Sequence, residues 1–323
     1  MEGGSRVLNI GVIRIGRSLL VVTLVTFAAT VLLRLTPGSV SNVILGDGAT
    51  PEAVEALDKK LGLDGSVLSQ YFAWMGSALQ GDLGSSPLNG QSVTAAIGER
   101  LPVTLQLAVM GLSLALLISV ALAVIAAARP GGGPDRVISA VTMAFLSIPA
   151  FIAGPVLIYF LALQLRMFPA LGWVRIEEDL LSNLHHALLP AVAIALAEIA
   201  AFQRLLRSDL IETLGEDYIA AARVKGLSKR YVMFRHALRP SSFSLMTVAG
   251  INLGRLIGGT VIVETLFGLP GLGQLVAVSI TGRDVVMVQG VVVFIAVVYV
   301  GVNTLVDVGY GLLDPRVRKA ARA

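Results

Sequence analysis

The sequence predicts an all-α polytopic membrane protein with six transmembrane helices and a small extracytoplasmic helical segment between the first two. Three observations predict it. First, 55% of the 323 residues are hydrophobic and only 14% are charged, with a mean hydropathy of +0.81. A soluble domain carries roughly 25% charged and about 45–50% apolar residues, so part of this surface must meet lipid. Second, long uncharged runs recur along the chain, each near the ~20 apolar residues that a helix needs to cross a bilayer. Third, the Lys and Arg residues are unevenly shared between the loops that those runs separate. Cys is absent, which excludes a disulfide framework, Cys-ligated zinc or iron–sulfur sites and thiol catalysis.

The runs define the helices in order. Residues 18–33 are uncharged between Arg17 and Arg34, and both arginines can snorkel toward headgroups. This run lacks the small-residue cleavage site of a signal peptide and is counted as an anchor. Residues 101–128, 137–165 and 285–306 carry no formal charge. Residues 184–203 hold one ionisable group, Glu198, and residues 240–263 hold Arg255. With six crossings both ends lie on one side. That side receives 17 of the 25 Lys and Arg and the other receives seven, so both termini are expected in the cytoplasm. The net charge of +4 then reflects topology, and no nucleic-acid partner is expected.

Between the first two crossings, Thr50 is placed to cap a helix opening with Pro51 and Glu52, and Gly62 to stop it. A second amphipathic stretch, 67–79, carries Tyr71, Trp74 and Met75, residues suited to a membrane interface. Its readings are a packed outer cap or a docking surface for a soluble partner. Pro149 and Pro155 inside the third run predict packing kinks. Gly250, Gly254 and Gly258 in the fifth run have the spacing that lets helix backbones approach closely.

The cytoplasmic segment 205–239 is charged but not composed like a linker. Ala220, Ala221 and Ala222 favour helix, Gly226 stops it, Ser228 can cap a second helix and Pro240 marks its end near the membrane. Two short helices around a Gly corner make a protruding knob of small residues with basic edges, a shape suited to a groove on another protein. A basic loop held at anionic headgroups is the alternative.

The run 217–240 resembles the EAA loop of binding-protein-dependent ABC importer permeases, in its peptide-transporter form. The residues that carry the resemblance are Asp217, Ala220, Ala221, Ala222, Arg223, Lys225, Gly226 and Leu227, then His236, Arg239 and Pro240. Alanine stands where the triplet's Glu would be, as is usual in that branch. Further matches to the dipeptide/oligopeptide/nickel permeases follow in family order. They are Leu-Leu-Arg-Leu-Thr-Pro-Gly at 32–38, Ala-Thr-Pro-Glu at 49–52, Leu-Gly-Leu-Asp at 61–64 and Gly-Asp-Leu-Gly at 81–84. Beyond these come Glu-Arg-Leu-Pro-Val-Thr-Leu at 99–105, Val-Glu-Thr-Leu-Phe at 263–267, Pro-Gly-Leu-Gly at 270–273, Arg283 with Asp284, and Leu-Asp-Pro-Arg at 313–316.

The resemblance implies a type I ABC importer permease fold. It divides the chain into a first helix with the extracytoplasmic segment (1–95), a permease domain (96–313) and a cytoplasmic tail (314–323). It implies a cytoplasmic (inner) membrane location and a second, homologous permease with which this chain lines a translocation path. One or two ATPase subunits and an external substrate-binding protein complete the assembly. The knob becomes the coupling helix seated in an ATPase cleft, and peptide becomes the substrate, with nickel or another small solute as the alternative. No cofactor is expected on this chain. It lacks any Gly-x-x-x-x-Gly-Lys-Ser/Thr phosphate loop, so ATP and Mg belong to the partners.

Glu198 and Arg255 are expected to face the interior, as a buried ion pair or along the path, because an unpaired charge is expensive there. His185 and His186 lack metal-ligand spacing, and no catalytic set is recognisable. An ion-coupled secondary transporter is the rival class. It would show repeated halves, which this sequence does not, and would have no use for the knob.

Overall fold

The computed structural model describes residues 16, 20–32, 40–46, 48–60 and 65–313, with side chains only to residue 306. The N-terminal arginines, the 33–38 and 61–64 parts of the motifs, Gly62 and the tail from residue 314 lie outside the described residues. The described residues are helical, joined by turns, and one isolated bridge pairs Ser85 with Ser92. Three helices are long and apolar enough to cross a membrane, or up to five when each of two bent pairs is one span. The first predicted crossing is described as α1, Leu20–Leu32, about 20 Å long at 1.5 Å per residue. Six crossings are therefore not all present as full-length helices among the described residues.

The chain divides into two compact units. One comprises Met1–Val103, Pro270–Gly301 and Gly311–Ala323, and the other Thr104–Leu269 and Val302–Tyr310. In the first unit, α2 (Val40–Leu45), α3 (Pro51–Lys60) and α4 (Val67–Leu79) form the segment after α1. Thr50 caps α3 by accepting from the Ala53 amide at 3.3 Å. Tyr71 of α4 is 1% exposed. Its hydroxyl donates to the Thr23 carbonyl at 3.0 Å, and its ring meets Phe27 edge-on at 5.3 Å. Tyr71 therefore docks α4 against α1. The unit's core gathers Val93, Ala96 and Ile97 at the start of α5 (Val93–Ala127). These meet Leu272 and Leu275 of α13 (Leu272–Thr281) and Met287 and Val291 of α14 (Val285–Leu313).

The second unit is built around α8 (Leu180–Leu214). Phe202, Leu206 and Leu210 on α8 are fully buried in a core with alanines 115, 123 and 127 of α5 and Leu245 and Ala249 of α11 (Leu238–Gly259). The third run is not one helix. α6 (Gly133–Ser147) ends at Ile148, and α7 (Ala150–Leu157) restarts from Pro149 at 103° to it, continuing as a π-helical stretch, Ile158–Gln164. Proline pushes the residue before it out of the helical region, and Ile148 is extended at φ −97°, ψ 111°. A break thus replaces the expected kink. The fifth run also bends, by 51°, between α11 and α12 (Val261–Phe267).

Gly250 of α11 fits against α14 because it lacks a Cβ. A methyl built there would lie 2.5 Å from Val306 Cγ2. Gly250→Ala should therefore lower stability by about 1–3 kcal/mol through overpacking, and Val306→Ala should restore most of the loss. Thermal unfolding of the detergent-solubilised single and double variants measures both effects.

Candidate functional site

The predicted cytoplasmic knob sits between the end of α8 and the start of α11. Gly215 ends α8, and α9 (Asp217–Val224) begins after Glu216, with Asp217 in the first turn, where the helix dipole favours a negative charge. At the far end the Leu227 amide donates to the Ala222 carbonyl at 3.3 Å and the Gly226 amide to the Arg223 carbonyl at 3.0 Å. These are the two bonds of a Schellman motif. Its left-handed position is Gly226, at φ +80°, a conformation that glycine adopts without strain. Ser228 then caps α10 (Lys229–Tyr231) by accepting from the Tyr231 amide at 3.3 Å.

Pro240 does not end this second helix. The chain runs from Lys229 to Gly259, passing through a π-helical stretch at Val232–Ala237. Pro240 follows that stretch by three residues, where the regular i→i−4 ladder is already interrupted, so its missing N–H does not break the helix.

The knob has its own small core. Ile219, Ala222 and Val232 are buried together, with Leu214 of α8 against them. Of the predicted alanines, Ala220 and Ala221 are exposed, while Ala222 is spent on this core. Asp217, Arg223, Lys225, Gly226 and Leu227 are exposed, as are Arg239 and Pro240 at the base. Arg223 also reaches the Leu214 carbonyl at 3.5 Å. His236 is half-buried with its ring 5.5 Å from Tyr231, and its carbonyl accepts from the Tyr218 hydroxyl at 3.2 Å. Burial, and then the nearby Glu216 charge, raise the Tyr218 hydroxyl above its ordinary pKa, so this donor keeps its proton.

Sequence reasoning missed Val224, the most open large apolar side chain of the knob at 90% exposure. Its signal was available. Ile219 and Ala222 share a helix face, and Val224 falls off it. Val224 points outward between Arg223 and Lys225, an apolar tip flanked by two positive charges. Beside the knob opens a cleft of about 950 Å³, bounded by the turn after α5, the end of α8 and the start of the second helix. Arg129, Arg223, Lys229 and Arg230 line it together with apolar Met233 and Phe234. The cleft pairs positive charge with apolar wall, so it suits an acidic, amphipathic surface.

Next to Pro134 of the cleft wall lies an ion pair whose acid is buried and whose arginine is 27% exposed. Asp135 is 3% exposed and accepts from Arg207 Nε and Nη2 at 2.5 and 2.7 Å, and from the Gly131 amide at 2.7 Å. The pair ties the α5–α6 turn to α8. It joins positions 72 apart, which no local sequence pattern reveals.

Deeper along α8, Glu198 is 5% exposed. Its two oxygens accept from Arg255 Nη2 and, at 2.9 Å, from Asn252 Nδ2, while Arg255 Nε donates to Asn252 Oδ1 at 3.2 Å. The structure thus brings Glu198 and Arg255 together, but the Arg255 side chain remains 59% exposed. Glu264 of α12, part of the Val-Glu-Thr-Leu-Phe match at 263–267, is a third buried acid whose burial the sequence did not show. It accepts from the Thr104 and Thr260 hydroxyls at 2.8 and 2.7 Å. His185 and His186, which lack metal-ligand spacing, are held by backbone carbonyls, His185 Nε2 at 2.7 Å from Met167 and His186 Nδ1 at 2.8 Å from Ser182.

Two family models match the sequence. "Binding-protein-dependent transport system inner membrane component" covers residues 119–319, and the N-terminal model for membrane components of such systems covers residues 7–108. A Sinorhizobium fredii protein named "Probable peptide ABC transporter permease protein y4tP" is 36% identical over 305 residues, 94% of this chain and 97% of that protein. The "Oligopeptide transport system permease protein AppB" of Bacillus subtilis is 34% identical over 296 residues, 91% of this chain and 94% of its own length. A solved structure of the MetNI methionine ABC transporter in inward-facing conformations aligns with 71% of this chain and 95% of that one, at 22% identity and a TM-score of 0.49.

The Asp135–Arg207 pair should behave as a buried pair, not a surface one. Arg207→Met alone leaves a buried carboxylate uncompensated and should cost about 3–5 kcal/mol. Asp135→Leu combined with Arg207→Met should recover most of that loss. A double-mutant cycle on the unfolding midpoint in detergent reads the coupling.

Proposed function

We propose, from the premise that this chain belongs to the binding-protein-dependent transport system inner membrane component family, that it is the permease subunit of an ATP-driven peptide importer whose residues 217–227 dock on an ATPase. It is an integral membrane subunit of a transporter. Peptide as the cargo follows the names of its full-length relatives. The fuller assembly is one or two ATPase subunits holding ATP and Mg, a second homologous permease, and an external protein that delivers substrate. The biased placement of Lys and Arg supports a chain with both termini in the cytoplasm, and hence a knob on the ATPase side.

The observation that carries this reading is the form of the knob. Exposed Ala220 and Ala221 allow close approach, Val224 offers an apolar tip, and Arg223 and Lys225 flank it with charge. Interfaces of this kind concentrate their energy in a few central anchors surrounded by polar groups. The small core of Ile219, Ala222, Val232 and Leu214 fixes the tip to α8 and to the helix leading into α11. A displacement of the ATPase on nucleotide binding therefore moves both helices together, and Asp135–Arg207 adds α6 through α8. Nucleotide acts here by its differential affinity for two arrangements of the complex.

Val224→Asp should cut recovery of the ATPase on purification of this subunit at least tenfold, while expression and membrane insertion stay within twofold of the parent. Phe72→Asp, an exposed apolar position on the opposite predicted side, should leave recovery unchanged. Undiminished recovery with Val224→Asp contradicts the docking assignment.

A further inference from the structure

Arg255 is held but not buried. Its partner Glu198 lies within the chain at 5% exposure and spends one oxygen on Arg255 and the other on Asn252. The guanidinium is gripped along its Nε and Nη2 edge, and 59% of the side chain remains open. A pair formed only to neutralise two charges would bury both. Here the acid and amide form a fixed seat that directs an arginine outward from α11. Ile251 and Gly259, one turn to either side, are exposed on the same face. A cation facing hydrocarbon is costly, and such residues face a bundle interior or a water-filled cavity.

We propose that Arg255, seated on Glu198 and Asn252, borders the translocation path and receives the C-terminal carboxylate of the passing peptide. This rests on the peptide-import reading above. Every unmodified peptide carries that carboxylate, and moving it through a low-dielectric region calls for a counter-charge on the wall. The Nε and Nη2 edge is occupied by the chain's own acceptors, so the carboxylate meets the Nη1 end of the guanidinium. Glu198 also offsets much of the local charge. Contact is thereby weak enough to release, as a conducting site requires.

The test has two arms, both on the complete transporter in proteoliposomes. The chain has no Cys, so one introduced thiol is the only one on this subunit. Arg255→Cys and, with the ion pair intact, Ile251→Cys should react with a membrane-impermeant cationic methanethiosulfonate at least tenfold faster than Leu117→Cys, an exposed apolar position of α5. Rates at Ile251→Cys no faster than at Leu117→Cys overturn the path placement.

In the second arm, Arg255→Gln is compared with the parent for ATP-driven uptake of trialanine and of its C-terminal amide. Uptake of the acid should fall at least fivefold and that of the amide less than twofold, with Arg255→Lys intermediate. Parallel loss of both, or loss of neither, overturns the carboxylate assignment. A parent complex that moves neither peptide overturns the peptide reading and that assignment together, while the labelling arm still decides the path.

Discussion

A charge placed among apolar helices must find a partner within the protein, and this requirement organises the second unit around α8. Three charged groups of that helix are each matched on another element: Arg207 by Asp135, Asp209 by Ser244, and Glu198 by Arg255 and Asn252. Removing one partner from a buried pair costs about 3–5 kcal/mol, a large fraction of the roughly 5–15 kcal/mol that separates folded from unfolded states. These pairings also fix register. Apolar surfaces of Ala and Leu can slide past one another at little cost, whereas an acid on α8 meets an arginine on α11 in one alignment only.

The same scaffold carries the knob. Thr213 on α8 and Ser241 on α11 share a hydroxyl contact at 2.9 Å, and Ser241 also donates to the Asp209 carbonyl at 3.2 Å. Residues 215–237 therefore leave and re-enter a junction that is already fixed. The Schellman motif at Gly226 turns the chain back, and the Ile219–Ala222–Val232 core joins the two limbs. What protrudes is a compact unit with its own core, rooted in two long helices. A flexible loop with the same exposed residues could bind an ATPase but would transmit little of its movement.

Much of this was legible in the sequence, at the level where local chemistry decides. Uncharged runs mark the long helices, Thr50 caps α3, and Gly226 and Ser228 delimit the knob's two helices. Other features depend on neighbours. Pro149 breaks the third run by 103° while Pro240 sits inside a continuous helix. The difference lies in position. Pro149 falls between two helices, and Pro240 falls where a π-helical stretch gives way to α11. Ala222 was read as part of a small-residue surface and Tyr71 as an interface residue, yet Ala222 joins the knob's small core and Tyr71 is buried against α1. The Asp135–Arg207 contact spans 72 positions and left no local mark, whereas Glu198 and Arg255 stand out as lone charges in apolar runs. Val224 was readable from helix phase, but its neighbours' charges drew attention away from it.

If the tip of the knob touches an ATPase, a probe placed on it must reach that subunit. A single Cys at Val224, in a chain that otherwise has none, carries a photoactivatable cross-linker in the assembled transporter. The account predicts a covalent product with the ATPase subunit, its yield changing when ATP replaces the nucleotide-free state. A probe at Val224 that joins only lipid or the second permease, in a complex that still hydrolyses ATP and transports, would contradict it.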